Sequence, residues 1–89
     1  MESDPKISVI VPVYNAGRFL VQAVNSALAQ PAVGEVILVE DGSPDDSLSV
    51  CRELAERNPI VHLYQHPQGA NRGAGPSRNL GMQKSNCPL

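Results

Sequence analysis

Apolar residues follow two different rhythms along this chain, and their alternation predicts its architecture. Ile7–Val13 is almost continuously apolar and rich in β-branched residues, the pattern of a strand buried on both faces of a parallel sheet. Tyr14, Asn15, Ala16 and Gly17 end it. From Phe19 onward, Leu20, Ala23, Val24, Ala27 and Leu28 recur at helical spacing, and Pro31 stops the helix. Residues 35–39 supply a second buried strand that runs directly into Glu40, Asp41 and Gly42. Ser43, Pro44, Asp45 and Asp46 read as the next helix start, with Ser43 as cap, Pro44 in the first helical position and two acids at the positive end of the dipole. Leu48, Cys51, Leu54 and Ala55 form its buried stripe, which Asn58 and Pro59 terminate. Residues 60–66 alternate, with Val61, Leu63 and Gln65 on one side and His62, Tyr64 and His66 on the other, which predicts an edge strand. A glycine-rich loop over 67–75 leads to a third helix over 76–86, in which Gly81 lowers intrinsic stability by about 1 kcal/mol relative to Ala.

The order β-α-β-α-β-α predicts an α/β fold, a Rossmann-like three-layer α/β/α arrangement with a parallel sheet and right-handed crossovers. Asn86, Cys87, Pro88 and Leu89 read as the approach to a fourth strand. At 89 residues the chain holds a single domain. A chain of this size buries only about 60% of its unfolded surface. Small domains compensate with disulfides, metals or large aromatics, yet this one has two Cys, no Trp, two Tyr and one Phe.

Charge and hydropathy remove several classes of function. The net charge of -2 comes without any Lys/Arg cluster, which argues against a nucleic-acid partner. No apolar run approaches the roughly 20 residues needed to span a bilayer. Acids near the N-terminus are unlike a signal peptide and point to a cytoplasmic protein, or one peripheral at the inner membrane face. Cys51 and Cys87 then read as reduced thiols, with Cys51 a small core residue, because neither belongs to a CxxC or stands near a His at ligand spacing.

In open α/β sheets, ligands bind outside the carboxyl ends of the strands. Three loops reach that edge: 14–17, 40–44 and 69–76. Each taken alone is also ordinary turn chemistry, through Asn15 with Gly17, Asp41 with Gly42, and Asn71 with Gly73. Their convergence on one edge favours a binding site. Glu40 and Asp41 are adjacent on a strand, so their side chains leave on opposite sides and at most one carboxylate faces the cleft. A carboxylate there typically holds a ribose hydroxyl or a base N–H. The alternative is a helix-capping Asp, and the placement of Ser43 as cap leaves Asp41 freer for a ligand. Arg78, in the first turn of the third helix, has the bidentate geometry for a phosphate or base edge, or is a solvated helix residue. The run Gly73, Ala74, Gly75, Pro76, Ser77, Arg78 differs from a dinucleotide fingerprint, since it follows the third strand and Pro76 removes a donor. His62 and His66 lack a nearby Cys or Ser nucleophile in sequence and are not assigned to catalysis.

Together the motifs Val9-Ile10-Val11-Pro12-Val13-Tyr14-Asn15, Val39-Glu40-Asp41-Gly42-Ser43-Pro44-Asp45 and Asn71-Arg72-Gly73 through Ser77-Arg78-Asn79-Leu80-Gly81 resemble the family 2 glycosyltransferases. Order and spacing agree over nearly the whole chain. The resemblance implies a GT-A fold, usually inverting chemistry and a nucleotide-diphosphate sugar donor, a UDP-sugar first among them. It implies transfer to an acceptor hydroxyl on a saccharide, lipid or protein. By the same resemblance Pro12, Val13, Tyr14, Asp41 and Arg78 bind the nucleotide, while Asn15, Gly42, Asn71, Gly73 and Asn79 shape the loops. Glu40 stands where Asp is common, and Ser77 where Ala is common.

The family enzymes use a divalent metal, Mg or Mn, held by a DxD motif after the fourth strand. No Asp or Glu follows Glu56 in this sequence, so those ligands are absent, as are a catalytic base and the acceptor half. Residues 1–89 therefore read as one incomplete domain: the nucleotide-binding portion, inactive alone. The alternative is a non-catalytic nucleotide-binding or interaction module. In the family the fourth strand lies beside the first, so this chain would leave an open sheet edge for self-association. An oxidoreductase half ranks third, because the first turn lacks the glycine fingerprint.

Overall fold

The computed structural model describes residues 6–67 and 70–86, apart from the side chain of Arg18. Three strands and three helices alternate: β1 (Ile7–Val13), α1 (Gly17–Leu28), β2 (Val33–Glu40), α2 (Ser47–Arg57), β3 (Val61–Gln65) and α3 (Ala74–Lys84). The strands form one parallel sheet in the order β1-β2-β3. Its register aligns Val9 with Val36, Val11 with Leu38 and Val13 with Glu40, then Val36 with Val61 and Leu38 with Leu63. Because strand side chains alternate with a period of two, this register gathers the valines and leucines on one face.

That face carries α1 and α2. Leu20 and Val24 from α1, and Cys51 and Leu54 from α2, pack on Val13, Val36, Leu38 and Val61 as one cluster. Each large aliphatic side chain fully buried there contributes roughly 1.5–3 kcal/mol. The opposite face carries α3, packed across β1 and β2. Gly81 makes that approach possible: a Cβ there would overlap Ile10 Cγ2. The helix propensity lost at this glycine is exchanged for close helix-on-sheet packing.

The α/β/α layering and parallel sheet are as the hydrophobic pattern predicts, and β3 is an edge strand. Several boundaries differ. Ala23 is exposed and outside the α1 stripe, and Gln65 is exposed at the end of β3. His66 lies just beyond β3, and α3 begins two residues before Pro76, which places Arg78 in its second turn. Helix α2 begins at Ser47 with Asp46 as N-cap, so Ser43 is not its cap and Pro44 is not in its first turn. Cys51 is a buried free thiol, whereas Cys87 and the approach to a fourth strand at 87–89 lie outside the described residues. Among the described residues no helix is long and apolar enough to cross a membrane.

Candidate functional site

The carboxyl ends of the strands release three loops, and among the described residues each contains one at positive φ: Asn15 at 52°, Gly42 at 69° and Gly73 at 94°. These values lie in the left-handed region that Gly and Asn adopt most readily. The first two loops are stitched together. Three consecutive backbone N–H groups, from Asn15, Ala16 and Gly17, donate to Ser43 Oγ at 2.9 Å, Ser47 Oγ at 3.0 Å and Asp45 Oδ2 at 3.4 Å. Here lies the reason Ser43 does not cap α2: its hydroxyl is engaged by Asn15. Asp45 instead accepts the Ser47 N–H at 3.0 Å and the Ser47 hydroxyl at 2.6 Å, which sets the helix start three residues later than expected. The Ser47 hydroxyl holds the Asp45 carboxyl below its ordinary value, aided by the Ser47 and Gly17 N–H groups.

Glu40 and Asp41 diverge as adjacent strand residues must. Glu40, fully buried on the α1/α2 side, accepts the N–H groups of Gly42 at 3.0 Å and Ser43 at 2.7 Å. Burial, with the Glu40 and Asp45 carboxylates adding to it, pushes the Cys51 thiol up to about 12, so the thiol is neutral and unreactive at pH 7. Asp41 turns to the α3 side and is only 3% exposed. Its N–H donates to Val13 O at 2.8 Å, and its carboxylate accepts Arg72 N–H at 2.6 Å and Gly73 N–H at 2.9 Å. Asp41 is thus not a free carboxylate; it anchors the third loop to the second strand.

Beside it, His66 Nε2 lies 3.0 Å from Ser77 Oγ and 3.7 Å from Asp41 Oδ1. A shallow cleft of about 350 Å³ opens there, lined by His66, Pro67, Arg72, Pro76, Asn79, Leu80 and Gln83. The sequence of Glycosyl transferase family 2 as a profile matches residues 8–89. The chain belongs to that family. It is 38% identical over 82 residues to an uncharacterized glycosyltransferase of Haemophilus influenzae, covering 91% of this chain and 32% of that protein. It is 40% identical over 78 residues to the glycosyltransferase GlyG of Streptococcus pneumoniae, covering 85% and 25%. Among solved structures, the mannosyltransferase PcManGT of Pyrobaculum calidifontis, in complex with GDP-Man and Mn2+, superposes with a TM-score of 0.80 at 25% identity, over 94% of this chain and 25% of that one. The fold is that of a GT-A glycosyltransferase, and the chain spans about a quarter to a third of the length of these relatives.

In this family 2 chain the expected nucleotide-binding residues fall into separate environments. Tyr14 is 51% exposed at the mouth of the first loop, and Pro12 is partly buried on β1. Val13 is 1% exposed within the core, so its side chain lines no open surface and only its backbone reaches the edge, where its carbonyl holds Asp41. Arg78 is exposed, and its position on α3 turns it away from the cleft side formed by Pro76, Asn79, Leu80 and Gln83. Asn79 is helical and lines the cleft rather than shaping a loop, while Asn71 is exposed. Gly69 of the third loop lies outside the described residues.

Sequence reasoning passed over Arg72 and His66, which the structure places beside Asp41. No local motif marks them; the parallel register, in which Glu40 pairs with Gln65, sets Asp41 and His66 side by side. A divalent metal does not fit the described residues. No group of three or more His, Cys, Asp or Glu converges among them, and the Glu40 and Asp41 carboxylates already accept backbone N–H groups.

Proposed function

We propose that residues 1–89 form the nucleotide-binding portion of an enzyme that transfers a sugar from a nucleoside-diphosphate donor, a UDP-sugar, to an acceptor hydroxyl. The observation that carries this reading is the meeting of three positive-φ loops at the carboxyl edge of a family 2 sheet, the first stitched to the second and the third held by Asp41. The GDP-Man held by the similar mannosyltransferase supports a nucleotide-sugar donor. Asp41 Oδ2 has a second lone pair beyond the Gly73 N–H it accepts, which suits a base N–H or ribose hydroxyl. Tyr14 offers an exposed ring for stacking, and Arg72, which lines the cleft, offers charge to the diphosphate.

In the complete reaction an acceptor oxygen attacks the anomeric carbon, the bond to the diphosphate oxygen breaks, and the acceptor proton passes to a base. No described residue is placed to serve as that base. The described residues bring together no set of metal ligands, and in this reading they bind the donor without catalysing. Titration with UDP, followed by NMR, tests the reading: shifts are expected at Tyr14, Asp41 and Arg72. Shifts scattered elsewhere, or none up to millimolar ligand, would overturn it. A parallel GDP titration decides the base, since tighter GDP binding would exclude uridine as the preferred nucleoside.

A second reading is favoured by β1, which is paired on one side only among the described residues and keeps Ile7 exposed at its start. Such an edge can pair with another copy of the chain. Sedimentation over a range of concentrations decides it, and a monomer throughout excludes it.

A further inference from the structure

The polar cluster at the carboxyl edge closes into a ring. Asp41 accepts the Gly73 N–H, Gly73 O accepts the Ser77 N–H at 3.1 Å, Ser77 Oγ meets His66 Nε2, and the same Nε2 faces Asp41 Oδ1. The ring ties together the ends of β2 and β3, the third loop and the first turn of α3. All three side chains are buried, with His66 8% and Ser77 0% exposed.

The chemistry of Nε2 is decided by its neighbours. If Nε2 were the unprotonated nitrogen, its lone pair would face a carboxylate oxygen 3.7 Å away. If it carries the proton, that N–H donates to Ser77 Oγ and presents the positive end of its dipole to Asp41. The charged and titratable neighbours agree. Asp41 faces the ring from β2 and Arg72 from the cleft wall, while α3 faces it with Pro76, Ser77, Leu80 and Gln83, none of them charged. Lys84, further along α3, lies 5.4 Å from the centre of the Tyr64 ring instead.

We infer that His66, held by Ser77 with its proton on Nε2, is a positioning residue for Asp41 and, through Asp41, for the backbone of Arg72 and Gly73. Its consequence for ligand affinity rests on the nucleotide-binding reading; its geometry does not. Because Oδ1 also accepts the Arg72 N–H, the imidazole fixes the oxygen that orients the third loop. Loss of the ring N–H leaves Asp41 with one favourable neighbour fewer and the Ser77 hydroxyl without its partner.

Long-range proton–nitrogen NMR on the full chain without ligand reads the tautomer directly, and no variant is needed. Protonation at Nε2 is expected, and a neutral ring protonated only at Nδ1 overturns the inference. In His66→Phe the Arg72 and Gly73 amide resonances should move, and in His66→Gln, whose carboxamide nitrogen falls near the Nε2 position, they should return toward the parent. Ser77→Ala, a smaller change that tests the ring if the Phe variant does not fold, should shift the same two amides. Unmoved amides in a folded variant overturn the positioning role. Where the parent binds UDP, His66→Phe should weaken it roughly three- to tenfold and His66→Gln should recover most of that. If UDP leaves the parent unchanged, the nucleotide reading falls, and the tautomer and amide results still decide the role of His66.

Discussion

The two ends of the sheet each bury carboxylates that accept backbone N–H groups, but they differ in what surrounds them. At the amino end Glu35 accepts the Ser8 hydroxyl at 2.5 Å, the Asn86 N–H, and the Asn86 side chain at 3.4 Å. There the chain after α3 is fastened to the start of β2, and the contact is finished within the protein. At the carboxyl end Asp41 fastens a loop in the same manner, yet that loop carries a positive-φ glycine, an exposed Arg72 and the wall of a cleft. A buried carboxylate is therefore no sign of a binding site by itself. The distinction lies in whether the backbone it holds faces a neighbour or a cleft.

Substitutions at the two ends should separate stability from binding. The largest loss of stability is expected for Glu35→Ala, which removes the shared acceptor of the Ser8 hydroxyl and both Asn86 donors. Urea unfolding should show a loss of about 3 kcal/mol, with the UDP response intact in the folded fraction. Asp41→Ala should cost less, about 2 kcal/mol, while weakening UDP binding at least tenfold by roughly the strength of a hydrogen bond to a charged group. Equal effects of both substitutions on UDP binding would erase the contrast between the two ends.

Gly81→Ala probes the packing on which both ends depend. Its Cβ would overlap Ile10, and overpacking of about 1–3 kcal/mol outweighs the roughly 1 kcal/mol gained in helix propensity. A rise in the urea midpoint would show instead that α3 shifts freely over β1. Cys51 reports the carboxyl end from beneath. Its folded value is raised from 9.0 to about 12, so its contribution is complete below pH 9.0 and declines as pH rises toward 12. The urea midpoint should fall over that range, and less steeply in Cys51→Ala. Asp45 should give the smallest effect, with the opposite sign. Its folded value is depressed, so the contribution is present above 3.8 and lost as pH falls through the folded value. Asp45→Asn should flatten the acid limb of the midpoint curve.

The layers were legible because they follow from period alone. Val36, Leu38 and Cys51 are buried as their spacing requires, and the β-α alternation leaves few ways to arrange the sheet. The Asn15, Gly42 and Gly73 turns were legible for the same reason, as local chemistry. What escaped was the choice of partner. Ser43 followed by Pro44 is a sound local capping signal, but the capping hydroxyl was taken by Asn15, 28 positions away. Asp41 was read as free because its partners, Arg72 and Gly73, lie on another loop. His66 carried no local motif and became visible only through the strand register.

Pro12 acquires a further meaning from that register. The Val13 carbonyl points toward β2, where it accepts the Asp41 N–H, so the backbone of Pro12 points the other way, to the side of β1 that has no strand partner among the described residues. Successive strand residues alternate in this direction, and Ile10 shares the outward side. A guest strand laid along β1 finds an amide at Ile10 and none at Pro12. The missing donor shortens the template that this side of β1 offers to any strand laid along it.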